Sequence, residues 1–419
     1  MSVAIIGAGL SGLSCGHQIA KEGLKVHIFE KEPFIGGLAS CYNYEGVNIP
    51  KTYHHILGSD APLLQMLKEL GLSVEWQKVK VGFHNQDKIY PFNGPLDLLK
   101  FKPLPLSERL KLGLLFLSTR RSKSLEDLEK VSIQKWIETE VGTEAYQKLI
   151  EPLISSYFGS GAEISAAYLA NRWRTESKSV TGLLGYLDLS EITHRLEKVI
   201  LENEGIISRG ANIKEIKIED EHFILKLDHE EYNAKYLVST TPPSILTRIF
   251  KTMPLDCKEK LSKISYMGCI CVTYWLSEKV SEYYWINVLD RDYPFVACFE
   301  HANLNPQVSG GIVYAISYLD ENNIMWKKSD EEIADYFTAY LSKIYGGFKD
   351  IKHLEVFRTL WATPVFKVGY KTPPLITPIK NLYLAGISRI FPDIRSMGPA
   401  IRTGIEASNE ILKEAKLTS

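Results

Sequence analysis

Three glycines near the start of the chain have the spacing of a phosphate-binding turn. Residues 3–6 are apolar and predict a strand, and residues 7–12 then read Gly-Ala-Gly-Leu-Ser-Gly. This spacing allows a tight turn, a close approach of backbone to a pyrophosphate, and close packing of helix on strand. Because the helix N-terminus directs free N–H groups at phosphates, we predict dinucleotide binding here. The predicted contacts are Gly7, Gly9, Leu10, Ser11 and Gly12.

A carboxylate follows the second predicted strand, at residues 25–29. Glu30 occupies the position at which an acid of a dinucleotide-binding fold accepts hydrogen bonds from the adenosine ribose. The chain continues through Lys31 into a second glycine pair and then Leu38. We therefore extend the predicted nucleotide contacts to Glu30, Lys31, Gly36, Gly37 and Leu38.

The segment from Glu30 to Leu38 resembles that of the superfamily of FAD-dependent amine oxidases, protoporphyrinogen oxidases and phytoene desaturases. In that superfamily the glycine pair brings backbone against the FAD diphosphate. Many members carry Arg after the pair, and Leu38 departs from that pattern. The resemblance implies FAD as the cofactor. No Cys lies in the C-terminal flavin segment, so we expect FAD to be held non-covalently.

The end of the chain resembles the same superfamily. Residues 381–386 resemble its last strand, which ends at Gly386, and residues 397–407 resemble the helix that follows. The resemblance implies that the start of this helix, with its partial positive charge, faces the pyrimidine edge of the isoalloxazine, which becomes anionic on reduction. It also implies cofactor contacts farther back in the chain. The full set implied here is Ile213, Thr240, Gly386, Met397, Gly398 and Ala400.

The pattern of strands and helices predicts an α/β fold: a discontinuous, Rossmann-like FAD-binding domain of the glutathione-reductase type with an inserted α+β substrate domain. Short alternating runs between residues 206 and 238 predict a β-meander and a strand that returns to the parallel sheet. We assign the FAD-binding domain to residues 1–56, 190–245 and 373–419. The helical part of the substrate domain is assigned to 57–189, and its β-sheet part to 246–372.

Composition limits the partners and the location. The chain has 419 residues, is 45% hydrophobic and carries a formal net charge of −1, which gives no general attraction to nucleic acid. Six cysteines show neither a CxxC pair nor zinc-ligand spacing, so we expect no metal site and a reducing, cytoplasmic location. Met1 leads almost directly into the first strand, and no run of 18 apolar residues follows, so we expect neither a signal peptide nor a membrane span.

Residues 98–123 mix Leu and Phe with Lys and Arg. This composition is typical of a helix that lies in a membrane interface, with basic groups toward anionic head groups. An amphipathic helix that packs on its own domain explains the pattern equally simply, and both interpretations stay open. A peripheral membrane contact would imply a lipophilic small-molecule substrate that enters from the bilayer.

Catalytic residues are the hardest to identify from the sequence. Tyr53, His54 and His55 are the candidates, because members of the superfamily bring a strand across the isoalloxazine at this distance from the glycine pair. A His beside the ring could orient substrate or exchange a proton at neutral pH. Consecutive residues of a strand point to opposite faces, so at most one His would meet the flavin, and a structural role stays open.

We expect an FAD-dependent oxidoreductase that removes a hydride from a C–N or C–C bond and passes electrons to an unidentified acceptor, such as dioxygen or a quinone. The alternative is a redox-neutral flavoenzyme that resembles UDP-galactopyranose mutases or carotene isomerases. For the mutase hypothesis, four residues would bind a diphosphate. They are Arg172, Arg174, Tyr314 and Tyr318. A flavin-dependent sensor without turnover is a third hypothesis.

Overall fold

The computed structural model describes residues 2–121, 124–159, 161, 163–178 and 182–417. Its strands are β1 (Ser2–Ile6), β2 (Lys25–Phe29), β3 (Cys41–Tyr44), β4 (Val47–Pro50), β5 (Glu75–Lys78), β6 (Lys80–Asn85), β7 (Lys88–Pro91), β8 (Leu183–Tyr186), β9 (Ile206–Ser208), β10 (Glu215–Glu219), β11 (His222–Lys226), β12 (Glu231–Ala234), β13 (Tyr236–Ser239), β14 (Tyr266–Leu276), β15 (Tyr283–Val288), β16 (Ala297–Glu300), β17 (Gly311–Leu319), β18 (Ile351–Pro364) and β19 (Leu382–Leu384).

The α-helices are α1 (Leu10–Lys21), α2 (Ala61–Glu69), α3 (Pro95–Lys100), α4 (Leu106–Arg121), α5 (Glu126–Glu129), α6 (Ile133–Glu140), α7 (Thr143–Ala145), α8 (Glu151–Phe158), α9 (Ala166–Lys178), α10 (Leu189–Glu202), α11 (Pro243–Ile249), α12 (Leu255–Ser262), α13 (Asp330–Tyr345) and α14 (Met397–Leu417). A π-helical turn, Tyr146–Ile150, joins α7 to α8. Short 3₁₀ turns occupy Gly37–Ala39, His301–Asn303, Ile324–Lys327 and Ile387–Arg389.

A five-stranded parallel sheet carries the glycine turn. Its order is β19-β13-β1-β2-β9, and Val3 of β1 pairs with Val26 on one side and Tyr236 on the other. Both faces are covered, so its inner strands are almost wholly buried, as expected for a parallel sheet. The α/β class is as predicted. The expected meander is also present, as the antiparallel strands β10, β11 and β12.

The second large sheet is mixed and has seven strands, in the order β18-β14-β17-β16-β15-β6-β7. Strands β6 and β7 come from the range 57–189, which the sequence analysis described as largely helical, and β6 pairs in parallel with β15. These two strands were missed because they are only six and four residues long. The long strand β18 was also missed, since its residues are mostly partly exposed and show no clear alternation.

The helices of the first insertion lie beside this second sheet. Residues from α4, α6, α8 and α9 share one hydrophobic core with strands β14, β16 and β17. A second core joins the parallel sheet to α1, α2, α10 and α14. A space lies between the two cores. The parallel sheet bounds it at one end, and helices α4, α6, α8 and α9, called the helical wall below, bound it at the other. Within the described residues, no helix is long and apolar enough to cross a membrane.

Helices α1 and α14 cross at very close range beside the glycine turn. The Ser11 and Thr403 hydroxyls lie 3.0 Å apart, and the Ser14 hydroxyl donates to the carbonyl of Ile401 at 3.2 Å. A Cβ at Gly404 would overlap the Ser11 carbonyl and the Ser14 side chain. The contact between the first and last helices thus requires glycine at position 404.

We expect Gly404→Ala to lower the free energy of unfolding by about 1–3 kcal/mol, because the added methyl forces the two backbones apart. Gly113→Ala in α4 is the matched control, since its Cβ would make only an ordinary contact, 3.7 Å from a Leu98 methyl, and alanine favours helix. Urea unfolding followed by circular dichroism measures both. Equal destabilisation of the two variants would contradict the prediction.

Candidate active site

A cavity of about 1580 Å³ runs from the glycine turn to the helical wall. This exceeds the roughly 300–1,000 Å³ of an ordinary ligand pocket, so it has room for a cofactor and a substrate together. Most residues predicted from the sequence line it: Gly7, Gly9, Leu10, Ser11, Glu30, Lys31, Gly36, Gly37, Leu38, Tyr53, His54, His55, Ile213, Thr240, Gly386, Met397 and Ala400. Gly12 and Gly398 do not.

The two glycine segments face each other across the phosphate end of the cavity. Gly9 and Gly36 form a parallel bridge, and the Gly36 N–H donates to the carbonyl of Ala8 at 2.8 Å. A Cβ at Gly37 would lie only 3.1 Å from Gly9 Cα, and Gly37 has a φ of +58°. The resulting cleft is lined by backbone, as the diphosphate of a dinucleotide requires.

Glu30 fixes this cleft through both carboxylate oxygens. Oε2 accepts a hydrogen bond from the Ala8 N–H at 2.7 Å, and Oε1 accepts one from the Glu32 N–H at 2.9 Å. A carboxylate has about four acceptor positions, so Glu30 can still accept hydrogen bonds from a ribose. The carboxylate therefore shapes the glycine turn in addition to the ribose contact predicted from the sequence.

Gly12 and Gly398 serve close packing instead of lining the cavity. A Cβ at Gly12 would overlap the carbonyl oxygen of Gly7, so this glycine sets the approach of α1 to its own turn. Gly398 faces Asp60, whose Oδ2 accepts a hydrogen bond from the Gly398 N–H at 3.2 Å. The first N–H groups of α14 are thus partly capped by a carboxylate.

Asp60 was not identified from the sequence, because it precedes α2, far from the glycine motifs. Its side chain lines the cavity, and its Oδ1 is buried with no partner among the described residues. Burial raises the pKa of the Asp60 carboxyl. The partial positive charge at the N-terminus of α14 therefore lies beside the Asp60 carboxyl, whose neutral form is favoured by burial.

Tyr53, His54 and His55 lie in an irregular segment, so the expected strand at these positions is wrong. Strand β4 ends at Pro50, and the next pairing is the isolated bridge of Ile56 with Gly185. Outside a strand the two histidines need not alternate between faces, and both line the cavity. Strand pairing cannot continue here because the chain must pass from the β3–β4 hairpin to the start of α2.

Each of the three side chains has a defined partner. Tyr53 stacks on Phe299 with ring centroids 3.7 Å apart. His54 Nδ1 lies 2.9 Å from the carbonyl of Thr52, and His55 Nδ1 lies 3.2 Å from the Tyr284 hydroxyl. Burial lowers the pKa of His54 to about 4 and that of His55 to about 3. Both rings are therefore neutral at pH 7, and they act as hydrogen-bonding groups there.

A third histidine lies directly behind this pair. His301 lines a small second cavity together with His54 and His55, and its ring is 1% exposed. Neither of its ring nitrogens has a hydrogen-bond partner in the described part of the chain. Burial, followed by the effect of His54, lowers the pKa of His301 to about 3. His301 lies 246 residues after His55 in the chain, so no local sequence pattern predicted that it would lie beside the other two histidines.

Aromatic and basic side chains also line the cavity away from the glycine cleft. Tyr157, Tyr168 and Tyr318 line it, as do Arg172 and Arg395. Of the residues named for a diphosphate site, Arg172 and Tyr318 therefore reach the cavity. Tyr314 is buried and donates to the carbonyl of Pro50 at 2.8 Å, and neither Tyr314 nor Arg174 lines the cavity.

The chain belongs to the family of flavin containing amine oxidoreductases, whose profile matches residues 10–412. It is thus an FAD-dependent oxidoreductase. The backbone-lined cleft and Glu30 fit the cofactor. None of the six cysteines lines the cavity.

Individual relatives are distant in sequence, and the similar solved structures extend over nearly the whole chain. A 15-cis-phytoene desaturase of Synechococcus elongatus is 26% identical over 324 residues, 67% of this chain and 67% of the desaturase. The structure of an oxidoreductase from Methanosarcina mazei is similar with a TM-score of 0.78 and 19% identity, covering 98% of this chain and 100% of that one. The structure of cyclohexylamine oxidase from Brevibacterium oxydans is similar with a TM-score of 0.76 and 15% identity, covering 99% of each chain. The chain covers 67% of the length of this desaturase, 64% of a Methanocaldococcus jannaschii protein and 36% of the coproporphyrinogen III oxidase of Staphylococcus aureus.

We expect Gly9→Ala to lower the affinity for FAD by roughly 100-fold, because the methyl group occupies the face of the turn that the diphosphate approaches. The new Cβ would lie 3.9 Å from Gly37 Cα, an ordinary contact, so the apoprotein should fold normally. Fluorescence titration of the apoprotein with FAD measures the affinity. Gly58→Ala is the control, with its Cβ 3.8 Å from the Trp76 ring and outside the turn. Unchanged FAD affinity in Gly9→Ala would refute the assignment of this turn.

We expect His301→Phe to make the protein less sensitive to acid. In the unfolded chain His301 binds a proton below about pH 6.5, whereas in the folded protein it stays neutral until about pH 3. Stability is therefore lost as the pH falls from 6.5 toward 3, by roughly 2 kcal/mol at pH 5 for this group alone. Urea unfolding at pH 7.5 and pH 5 measures the difference. The exposed His194→Gln should keep the parent's pH dependence, and parallel behaviour of His301→Phe and the parent would contradict the prediction.

Proposed function

We propose that the protein oxidises a lipophilic small molecule by removal of a hydride from a C–N or C–C bond. The observation that carries this proposal is the continuity of the cavity, which extends from the FAD cleft into a chamber walled by apolar side chains. The chamber wall includes Phe83, Phe92, Leu98, Leu112, Leu149, Ile150, Leu153, Ile154, Phe158, Leu184 and Trp285. Such a wall favours an apolar substrate and excludes water from the reacting bond.

FAD supplies the hydride acceptor, and the protein positions the substrate against it. In this proposal the neutral His54 and His55 rings donate or accept hydrogen bonds at the substrate without adding charge. Tyr53, held by its stacking on Phe299, forms an aromatic surface for the substrate beside them. The start of α14, at Met397, orients peptide N–H groups that favour negative charge on the reduced cofactor.

A peripheral membrane contact is the second part of the proposal. The segment predicted as one interface helix forms the end of α3, a short connection and α4. Phe101 and Leu104 of the connection and Leu112 of α4 are buried in the core. The outer face of the two helices is apolar: Leu96, Leu106, Leu110, Leu114 and Leu117 are between 49% and 70% exposed. Ser122 and Lys123, also assigned to this segment, lie outside the described residues.

The exposed face and the cavity share side chains. Leu110, Leu114 and Leu117 are at once exposed to solvent and part of the cavity lining. Lys100 on α3, Lys111 on α4 and Lys102 in the turn between the two helices can meet anionic head groups. This arrangement supports a route by which an apolar substrate passes from a bilayer directly into the chamber.

The test is the visible spectrum of the holoenzyme under anaerobic conditions, with candidate substrates added one at a time. An amine, a porphyrinogen and a polyprenoid represent the three open classes of substrate. Loss of the oxidised flavin bands with one of them, at a rate matching turnover, is the expected result. If NADPH bleaches the flavin and none of the three substrates does, the redox-neutral mutase or isomerase hypothesis is favoured. The positions of Arg172 and Tyr318 in the cavity lining also support the mutase hypothesis.

We expect the double variant Leu110→Asp, Leu114→Asp to lose binding to vesicles, because two charges on the apolar face oppose insertion into the interface. Flotation with phosphatidylcholine vesicles, with and without phosphatidylglycerol, measures the bound fraction. Leu255→Asp, Ile324→Asp is the matched control, since these residues are 70% and 66% exposed but lie on other elements. Equal flotation of the parent and both variants would refute the membrane contact.

A further inference from the structure

One arginine in the substrate end of the cavity has no acidic partner. Arg395 lies in the loop between β19 and α14, and in the described part of the chain no carboxylate oxygen lies within 4.0 Å of its guanidinium. Two arginines close to it in the chain do have acidic partners. Arg389 pairs with Glu406 at 3.3 Å, and Arg402 pairs with Asp393 at 2.8 Å.

Neutral groups hold the Arg395 guanidinium in place. One terminal nitrogen donates to the carbonyl of Ala362 at 3.1 Å, and the other donates to the Tyr318 hydroxyl at 2.6 Å. The guanidinium carbon lies 5.2 Å from the centre of the Tyr318 ring, which allows a cation–π contact. These contacts use two of the five N–H donors, and the side chain lines the cavity.

A second arginine lies nearby across a pair of tyrosines. The Tyr157 and Tyr318 rings are 5.1 Å apart, and Arg172 lies over Tyr157 at 5.5 Å. Arg172 is partly neutralised by Glu176, to which its Nε donates at 2.9 Å. This part of the cavity therefore holds two guanidiniums against one carboxylate, with phenol hydroxyls between them, and carries an excess of positive charge.

An arginine keeps its charge in a protein, so an unmatched guanidinium in an apolar cavity is costly unless an anion meets it. Its planar fork suits a carboxylate or a phosphate, which can accept two parallel hydrogen bonds. The FAD diphosphate is not the expected occupant, because Arg395 is anchored to strands β17 and β18 of the seven-stranded sheet. The glycine cleft that suits the diphosphate lies on the parallel sheet instead.

We propose that Arg395, with Tyr318, Tyr157 and Arg172 around it, binds an anionic group of the substrate, a carboxylate or a phosphate. The substrate is then an amphiphile, whose apolar part fills the apolar chamber that α3 and α4 help to line. This inference deepens the proposed function and rests on it. It distinguishes an anionic lipid-like or carboxylated substrate from a pure hydrocarbon and from a simple amine.

The test uses four probes with the same dodecyl chain: tridecanoate, dodecyl phosphate, dodecanol and dodecylamine, each below its critical micelle concentration. Calorimetric titration of the holoenzyme gives their affinities, and the flavin absorption band reports binding near the cofactor. We expect one of the two anions to bind about tenfold or more tightly than the alcohol and the amine. The tighter anion identifies the headgroup. Equal affinities for all four probes would overturn the proposal.

Variants assign the preference to Arg395. Arg395→Met should remove it, whereas Arg395→Lys should keep part of it, because a lysine supplies the charge without the fork. Arg248→Met is the control, since Arg248 also lines the cavity but lies in α11, beside the parallel sheet. Retention of the anion preference in Arg395→Met, with or without a changed flavin reduction potential, would overturn the proposal.

The outcomes separate this inference from the proposed function. In one outcome, the anion preference depends on Arg395 but no class of substrate reduces the flavin. This result would support the anion site and refute the proposed oxidation. Flavin reduction by an uncharged substrate, without any anion preference among the probes, would refute the anion site alone. If Arg395→Met purifies without FAD, Tyr318→Phe provides the second variant, and we expect it to lower the affinity for the preferred anion.

Discussion

The close approach of three backbone segments is the constraint on which the rest of the structure depends. The loop at Gly37 packs against the turn at Gly9, and the last helix packs on α1 at Gly404, where a Cβ would overlap the Ser11 carbonyl. This contact brings residues nearly 400 positions apart in the sequence to one site. Glu30 ties the first turn to the second strand, so the cleft for the cofactor is held by hydrogen bonds as well as by packing.

Burial then sets the charge state of the groups around the cleft. His54, His55 and His301 are kept neutral at physiological pH, and the pKa of Asp60 is raised by the same cause. In surroundings of low polarity, each group takes the form that needs less solvation. Arg395 is the exception, because its guanidinium remains charged. The cavity thus keeps a directed positive charge at Arg395, beside Arg172 and the phenol groups of Tyr157 and Tyr318.

The cavity also connects two environments. At one end lies a cleft made of backbone N–H groups, suited to phosphates, and at the other lies a face of exposed leucines on α3 and α4. The parallel sheet supports the first end and the seven-stranded sheet supports the second. The chemistry supplied by FAD would take place where these two supports meet. Membership of a family does not by itself fix the substrate, which depends on the lining of the second end.

The sequence by itself predicted dinucleotide binding and the α/β class of fold, and its resemblance to a known superfamily implied FAD. Glycine spacing and the acid after β2 are local patterns, and their geometry follows from backbone sterics within some thirty residues. Apolar periodicity likewise gave the main helices. The short strands β6 and β7 and the irregular path of residues 53–55 were decided only by tertiary structure, because pairing across the fold sets them. The same holds for Asp60 and His301: each acquires its environment from segments far away in the chain, and no local pattern records those contacts.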